Sequence, residues 1–535
     1  MLCATTQSDI RGWLENMNYS RETNKYILPV NVQKILKAII KPEWCFLILM
    51  LIIGSCFAVL VPAGGGADEP NHIARAVSVA HGDMFADKIP DRVGYTSPQD
   101  VDGVDSALYG GVVDSALTDV AWHNMVDFHT PKNKGGKIYS FPTWTTQGMM
   151  SHRNVGEKEH VEAFSNSAVN SPFVYAPFAL GYWLSRIFTS NAYAIIVIMR
   201  MFGLLTAAGI LFFCIRYIPI GKWVLVSVSL MPTMVILDAT ITADTMTYAM
   251  CISFITVVFK CMCENRALHH NQWILLSLVS ISLALIKLSY VPLIILLALI
   301  PIANQYVRSK KDLFSLLGIM LCTGILFIGW YLAVSSINTG AMFDVGASPT
   351  LQKQYVFSHL ITYMGLLVKQ FIGQNFFNLG VNGTLDLHGH YAFTGWITVC
   401  VLICAVLLID SRENRLAIFR KNAVWCCLFF LLAAACVFGL VETALYLQFS
   451  PVGADDIAGV QPRYFLPILP LLIVVVVIMT RQTDESTVQS DLEGTRGTQV
   501  LREAENCLGI GMMLSLQLIS AIFTLYLLFT TLYTA

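Results

Sequence analysis

Eleven stretches of this 535-residue chain stay apolar for about 16 to 24 residues, at 44–61, 191–214, 222–238, 243–261, 272–287, 290–306, 313–336, 391–409, 423–446, 464–480 and 508–530. That length matches the hydrocarbon core of a bilayer. The runs are continuous and lack the period-two alternation of barrel strands, and lipid offers a backbone no hydrogen-bond partner but itself, so helices are the reading. With 55% hydrophobic and only 13% charged residues, the fold class is an all-α polytopic membrane protein of about 11 transmembrane helices. A net charge of −1 says nothing about partners; the apolar runs imply the lipid bilayer, and no nucleic-acid partner is expected.

Charge sets the expected orientation. Lys and Arg number six in 1–43, two in 214–222, two in 260–271, three in 307–312, four in 410–422 and three in 481–507, which is 20 of the 34, against four (Lys287, Lys353, Lys369, Arg463) in the short outer loops and mouths. The positive-inside rule then puts the N-terminal tail, 1–43, in the cytoplasm and makes 44–61 a retained signal anchor. A twelfth candidate, "SPFVYAPFALGYWLSRIF" at 171–188, would reverse every later loop if it spanned, so it is read as an aromatic, Pro-broken helix along the outer face. The core is 44–480, with a first outer loop at 62–190 and a second at 337–390. A flexible cytoplasmic loop, 481–506, precedes the last transmembrane helix at 507–535. "LQKQYVFSHLITYMGLLVKQF" in the second loop has the spacing of an interfacial helix. None of the 14 cysteines lies between Pro62 and Arg186, which argues against a disulfide scaffold there; Cys261, Cys263, Cys400 and Cys404 read as small helix residues.

The chemistry-bearing stretch is "GGGADEPNHIARAVSVAHGD", residues 64–83. Asp68 suits a helix N-cap and Pro70 the first turn. At about 100° per residue, Asp68, His72 and Arg75 then share one face and Ile73, Val77 and Ala80 the opposite one. The polar face is expected to look into a cavity, with Glu69 beside Asp68 at the rim and the apolar face on the bilayer. A carboxylate kept ionised by cations and a helix N-terminus suits a general base. The bland alternative is that Asp68 only caps the helix and Glu69 pairs with Arg75.

Further charges fall inside or at the mouths of the runs: Arg200, Asp238, Asp244, Lys287, Glu442 and Arg463, with Asp386, His388 and His390 just before the eighth run. Such depth is costly and marks a pathway or site. Lys287 and Arg463, with Tyr464 beside the latter, are candidates for holding phosphate oxygens, and snorkelling to the interface is the competing reading. Arg200 serves an ion pair inside the bundle equally well. His388 and His390 form a weak metal candidate, and a divalent cation is the one cofactor considered. Walker A, GxGxxG, HExxH and G-x-S-x-G motifs are missing, so nucleotide and triad hydrolysis lack support.

Taken in order, "DEPNHIARAVSVAHGD", "SPFVYAPFALG", "MPTMVILDATITADTM", "IKLSYVPL", "GTLDLHGHYAFTGW" and "GVQPRYFLPILP" resemble the bacterial domain-of-unknown-function 2142 family over roughly 44–480. The sequence departs from that pattern in carrying Pro462 where a small residue is expected. The family looks like a branch of the GT-C membrane glycosyltransferases, which take a sugar from a polyprenyl-phosphate carrier on the extracytoplasmic side. The resemblance implies a base in the first outer loop, matched by Asp68 with Glu69 as neighbour, and a juxtamembrane helix at 171–188.

The expectation is therefore an inverting glycosyltransferase in the bacterial plasma membrane, its active site extracytoplasmic. Its partners are a polyprenyl-phosphate-linked sugar and a glycan or lipid-linked acceptor. Asp68 is the base, and Glu69 and His72 position the acceptor or a cation. Arg463, Lys287 and Arg75 face the departing phosphate, with Asp244, Asp386 and Tyr464 in the substrate site. The rivals are a flippase or transporter, whose paired broken helices or repeated halves are not read from the sequence, a polymerase or ligase, whose outer-loop arginines are missing from 337–390, and a non-catalytic assembly partner.

Overall fold

The computed structural model describes residues 41–89, 107–129, 139–140, 155–156, 159–342, 347–373, 391–407, 416–480 and 496–534. Pro42 opens α1 (Pro42–Leu60), where its missing N–H is no loss, and the helix stops at Val61 ahead of Pro62. A glycine-rich turn leads into α2 (Glu69–His81), which Gly82 terminates at φ 103°. The first loop continues through β1 (Asp87–Ile89), β2 (Leu108–Asp114), α3 (Ser115–His129), β3 (Tyr139–Ser140), β4 (Glu159–Ala163) and α4 (Ser165–Ala168) to α5 (Pro172–Phe188). Next come α6 (Ala192–Tyr217), α7 (Lys222–Ser229), α8 (Pro232–Asp238), α9 (Ala243–Met262) and α10 (His270–Leu285). A 3-10 stretch, Leu288–Ala298, runs into α11 (Leu299–Ala303), followed by α12 (Lys310–Val334) and the pair α13 (Pro349–Ser358) and α14 (Leu360–Gly373). The remainder is α15 (Tyr391–Leu407), α16 (Leu416–Lys421), α17 (Ala423–Phe449), a second 3-10 stretch at Pro462–Ile468, α18 (Leu469–Thr480), α19 (Arg496–Leu532) and β5 (Tyr533–Thr534).

Among the described residues seven helices are long and apolar enough to cross a membrane, or eight if α13 and α14, bent by 104°, form one broken span. Three shorter apolar helices, His270–Leu285, Leu288–Ala303 and Ile397–Val406, stand beside them, and the expected count of eleven spans is not reached by length alone. The run at 222–238 is split into α7 and α8 before Pro232, and 290–306 is a 3-10 stretch as far as Ala298, with Pro292 inside it, followed by the short α11. Proline removes a ladder donor and disfavours α geometry in the residue before it, so apolar runs can be long without the helices being so. The runs at 272–287 and 391–409 become helices of 16 and 17 residues. Broken helices, unread in the sequence, are thus a feature of this fold.

The first loop departs from all-helical structure. Strands β1, β2 and β4 form an antiparallel sheet in the order β1-β2-β4, with Gly110 opposite Asp87 on one side and Ala163 on the other. Tyr139–Ser140 pairs in parallel with Tyr533–Thr534, which brings the end of α19 to the side occupied by the first loop.

Helix α5 is unbroken through Pro177 and packs lengthwise, antiparallel, on the first half of α6: Gly181 lies against Met199 and Gly203 against Phe178. The helix is therefore not the Pro-broken one that the sequence led one to expect. The α2 helix, expected to rest one face on lipid, is buried on nearly every side between α5, α3, α4 and β2. Its polar residues therefore meet protein all round, which decides their roles.

Candidate functional site

The turn "PAGGGADEP" is built around Glu69. Its Oε2 accepts from Gly64 N and Gly66 N, both at 3.0 Å, and its Oε1 from Ile241 N at 3.0 Å. Arg200 meets the same carboxylate as a fork, Nε to Oε1 at 2.8 Å and Nη2 to Oε2 at 2.6 Å. The guanidinium also donates to the carbonyls of Ala58, Val61 and Pro62, where α1 has run out of N–H partners. Both side chains are wholly buried. Gly64, at φ 86°, has no room for a Cβ because the Ala121 carbonyl occupies that space. Glu69 is therefore committed to joining α1, α6 and the 239–242 turn, and the expectations of a rim carboxylate and of an Arg75 partner are corrected.

Arg75 is corrected too. It is fully buried and donates to Asp83 O at 3.2 Å and Met84 O at 2.7 Å, tying the 82–84 turn to the end of α2. Its Nη1 and Nη2 are thereby committed to backbone carbonyls.

Asp68 occupies the N-cap position but makes no side-chain cap, and it is the one non-glycine residue at positive φ, 52°, among those described. That left-handed backbone costs about 1 kcal/mol. It turns the carboxylate away from the helix end, leaving the side chain 41% exposed with Oδ2 at 3.9 Å from Arg463 Nη2.

Three distant elements complete the cluster. Asp244, in the first turn of α9, pairs through Oδ1 with Lys287 Nζ, at the break between α10 and the 3-10 stretch, and its Oδ2 lies 3.3 Å from Arg463 Nε in non-hydrogen-bond geometry. Arg463 opens the second 3-10 stretch, only 3% exposed. Tyr464 turns its ring to both cations, with Lys287 Nζ and Arg463 Cζ each 5.1 Å from the centroid, and its hydroxyl accepts from Arg463 Nη2 at 3.3 Å. Tyr290 donates to Tyr464 O at 2.8 Å and holds that backbone. The pairing of two acids with two cations lets an anionic ligand compete with Asp244 for the cations while Asp68, 41% exposed, stays accessible.

His72 faces the same group: the charges that act on it are Asp68, Lys287, Asp244 and Arg463. Its Nδ1 lies 2.6 Å from the Tyr175 hydroxyl, which accepts from Asn170 Nδ2 at 3.3 Å. Burial lowers the imidazole to about 4, so it is neutral in ordinary buffers. The structure thus brings together Asp68, His72, Asp244, Lys287, Arg463 and Tyr464. Asp386, with His388 and His390, lies outside the described residues. Among the described residues no three His, Cys, Asp or Glu side chains are grouped to hold a metal ion.

Asn170 and Tyr175 went unread in the sequence, since an aromatic in an aromatic-rich helix carries no mark of its own. Asp238, by contrast, was noted as a mouth-level charge; it is fully buried with neither oxygen bonded.

Comparison with curated proteins and with solved structures gave no match. A family model described as "Predicted membrane protein (DUF2142)" matches residues 51–472. Every residue of the cluster lies within that range, which takes in most of the chain, four of the seven long apolar helices whole and parts of two more. On that match, the chain belongs to the DUF2142 family of predicted membrane proteins.

Proposed function

We propose that this membrane protein is a GT-C-like inverting glycosyltransferase that moves a sugar from a polyprenyl-phosphate donor to a glycan or lipid-linked acceptor on the extracytoplasmic face. The observation that carries it is the meeting of an accessible carboxylate, Asp68, with Arg463, 3.9 Å away, and through Asp244 with Lys287. In this reaction an acceptor hydroxyl oxygen attacks the anomeric carbon and its proton passes to Asp68. The bond from that carbon to the phosphate oxygen breaks, and its electron pair leaves with the phosphate, whose charge Arg463 and Lys287 neutralise. A single direct displacement inverts the anomeric centre. Seven apolar helices supply the lipid-embedded setting in which a polyprenyl chain stays dissolved.

The test uses the full chain in proteoliposomes with labelled polyprenyl-phosphate sugars and lipid-linked acceptors. Wild type is expected to transfer sugar and Asp68→Asn to lose about 100-fold or more in rate, while donor binding persists. Transfer undiminished in Asp68→Asn removes the base and with it this reading.

The broken helices favour one second reading, a transporter of lipid-linked glycans. It requires that labelled donor cross the bilayer of the same vesicles without acceptor and without a new glycosidic product.

A further inference from the structure

We infer that the buried chain Asn170, Tyr175, His72 fixes His72 as a neutral imidazole carrying its proton on Nε2, so that it donates a hydrogen bond to a phosphate-ester oxygen lodged beside Lys287 and Arg463 and takes no proton in the reaction. The ligand identity rests on the reading just proposed; the tautomer rests on geometry alone.

A phenol has a single proton to give. Asn170 Nδ2 donates to the Tyr175 oxygen at 3.3 Å and the Ser167 hydroxyl faces the same oxygen as a second donor, so the hydroxyl proton points to His72 Nδ1, at 2.6 Å. Nδ1 is thereby an acceptor, and a neutral ring must hold its proton on Nε2. Nε2 has no hydrogen-bond partner among the described residues and is not one of the sealed, unsatisfied atoms of the interior. The charged groups facing the ring are Asp68, Asp244, Lys287 and Arg463, with Tyr175 behind it on α5. Carboxylates and cations surround it in equal number, and burial in this setting keeps the ring neutral near pH 7.

Two consequences follow for the chemistry. A ring that already carries its proton on the ligand side is no general base, which leaves that task to Asp68. A neutral donor selects for a ligand with a free acceptor oxygen without adding a third positive charge to a cluster already balanced between Asp68, Asp244, Lys287 and Arg463. His72 is thus a positioning residue for the anion, and Tyr175 and Asn170 set its polarity.

The experiment is 15N magnetic resonance of the full chain in lipid nanodiscs, labelled at histidine, with the His72 signals assigned from His72→Gln. At pH 7 Nε2 is expected to be protonated and Nδ1 bare, and farnesyl monophosphate to shift Nε2 more than Nδ1. Asn170→Asp replaces the donor by an acceptor, so Tyr175 turns its proton to residue 170 and the His72 proton is expected to move to Nδ1. Tyr175→Phe is expected to mix the two tautomers and weaken farnesyl phosphate binding about fivefold. A proton found on Nδ1 in the wild type, a tautomer indifferent to Asn170→Asp, or an Nε2 signal unmoved by farnesyl phosphate overturns the inference. Sugar transfer missing from the wild type while all three results hold leaves the inference standing and removes only the enzyme reading.

Discussion

Single residues in this protein show how little a charge reveals until its neighbours are known. Asp68 and Glu69 are adjacent and alike, yet one is exposed toward Arg463 and the other is enclosed by Arg200 and three backbone N–H groups. Removing one partner of such an enclosed pair strands the other charge, so Glu69→Gln and Arg200→Met are each expected to destabilise the fold by about 3–5 kcal/mol. The double variant should fall well short of the sum. Thermal unfolding of the four forms in detergent checks this, and additive losses count against a direct pair. For His72 the sign of the pH effect is fixed by burial: the folded value, about 4, lies below the ordinary value near 6.5. Between the two the unfolded chain binds a proton that the folded chain refuses, so stability falls as pH drops from 6.5 to 4, by roughly 3 kcal/mol, and flattens below. Melting curves across that window should show the slope in wild type and lose it in His72→Gln.

At the scale of elements, the helices were legible and their interruptions were not. Eleven runs were apolar and all became helical, because a chain in lipid has no other way to pair its backbone. At Pro232 a helix ends and another begins, and around Pro292 the chain winds as a 3-10 stretch, changes that apolar composition does not encode. The pairing of α5 with α6 depends on small residues at the seam. A Cβ on Gly181 would sit 2.8 Å from the Met199 backbone, whereas one on Gly365 of α14 meets nothing within 4 Å. Gly181→Ala is therefore expected to cost about 1–3 kcal/mol by forcing the helices apart. Gly365→Ala should be neutral or stabilising by about 0.5–1 kcal/mol through helix propensity. Parallel melts of the two variants separate seam from surface; equal responses would mean that α5 is not packed as described.

For the molecule as a whole, the basic loops and the β3–β5 pairing bear on one topological question. Tyr533–Thr534 pairs with Tyr139–Ser140 in the first loop, so the end of α19 and that loop share a side, which requires an even number of crossings between them and an odd total once α1 is counted. With the basic stretches at 260–271 and 307–312 in the cytoplasm, single cysteines introduced at Ser190 and Thr534 should react with an impermeant maleimide applied from outside intact cells. Cysteines at Arg266 and Arg308 should react only after lysis. Protection of Ser190→Cys and Thr534→Cys would invert this arrangement.

From residue order alone came a multi-pass helical membrane chain, its family and a short roster of charges expected at one membrane face, because hydrophobic length and residue type are local properties that survive without coordinates. Selecting among those charges required the packed bundle. Which carboxylate is exposed and which tyrosine stands behind His72 depend on contacts between residues more than 100 positions apart, and which arginine is tied to carbonyls depends on how the 82–84 turn folds back on α2. An ion's energy is set by what surrounds it, and burial at that range is a property of three dimensions.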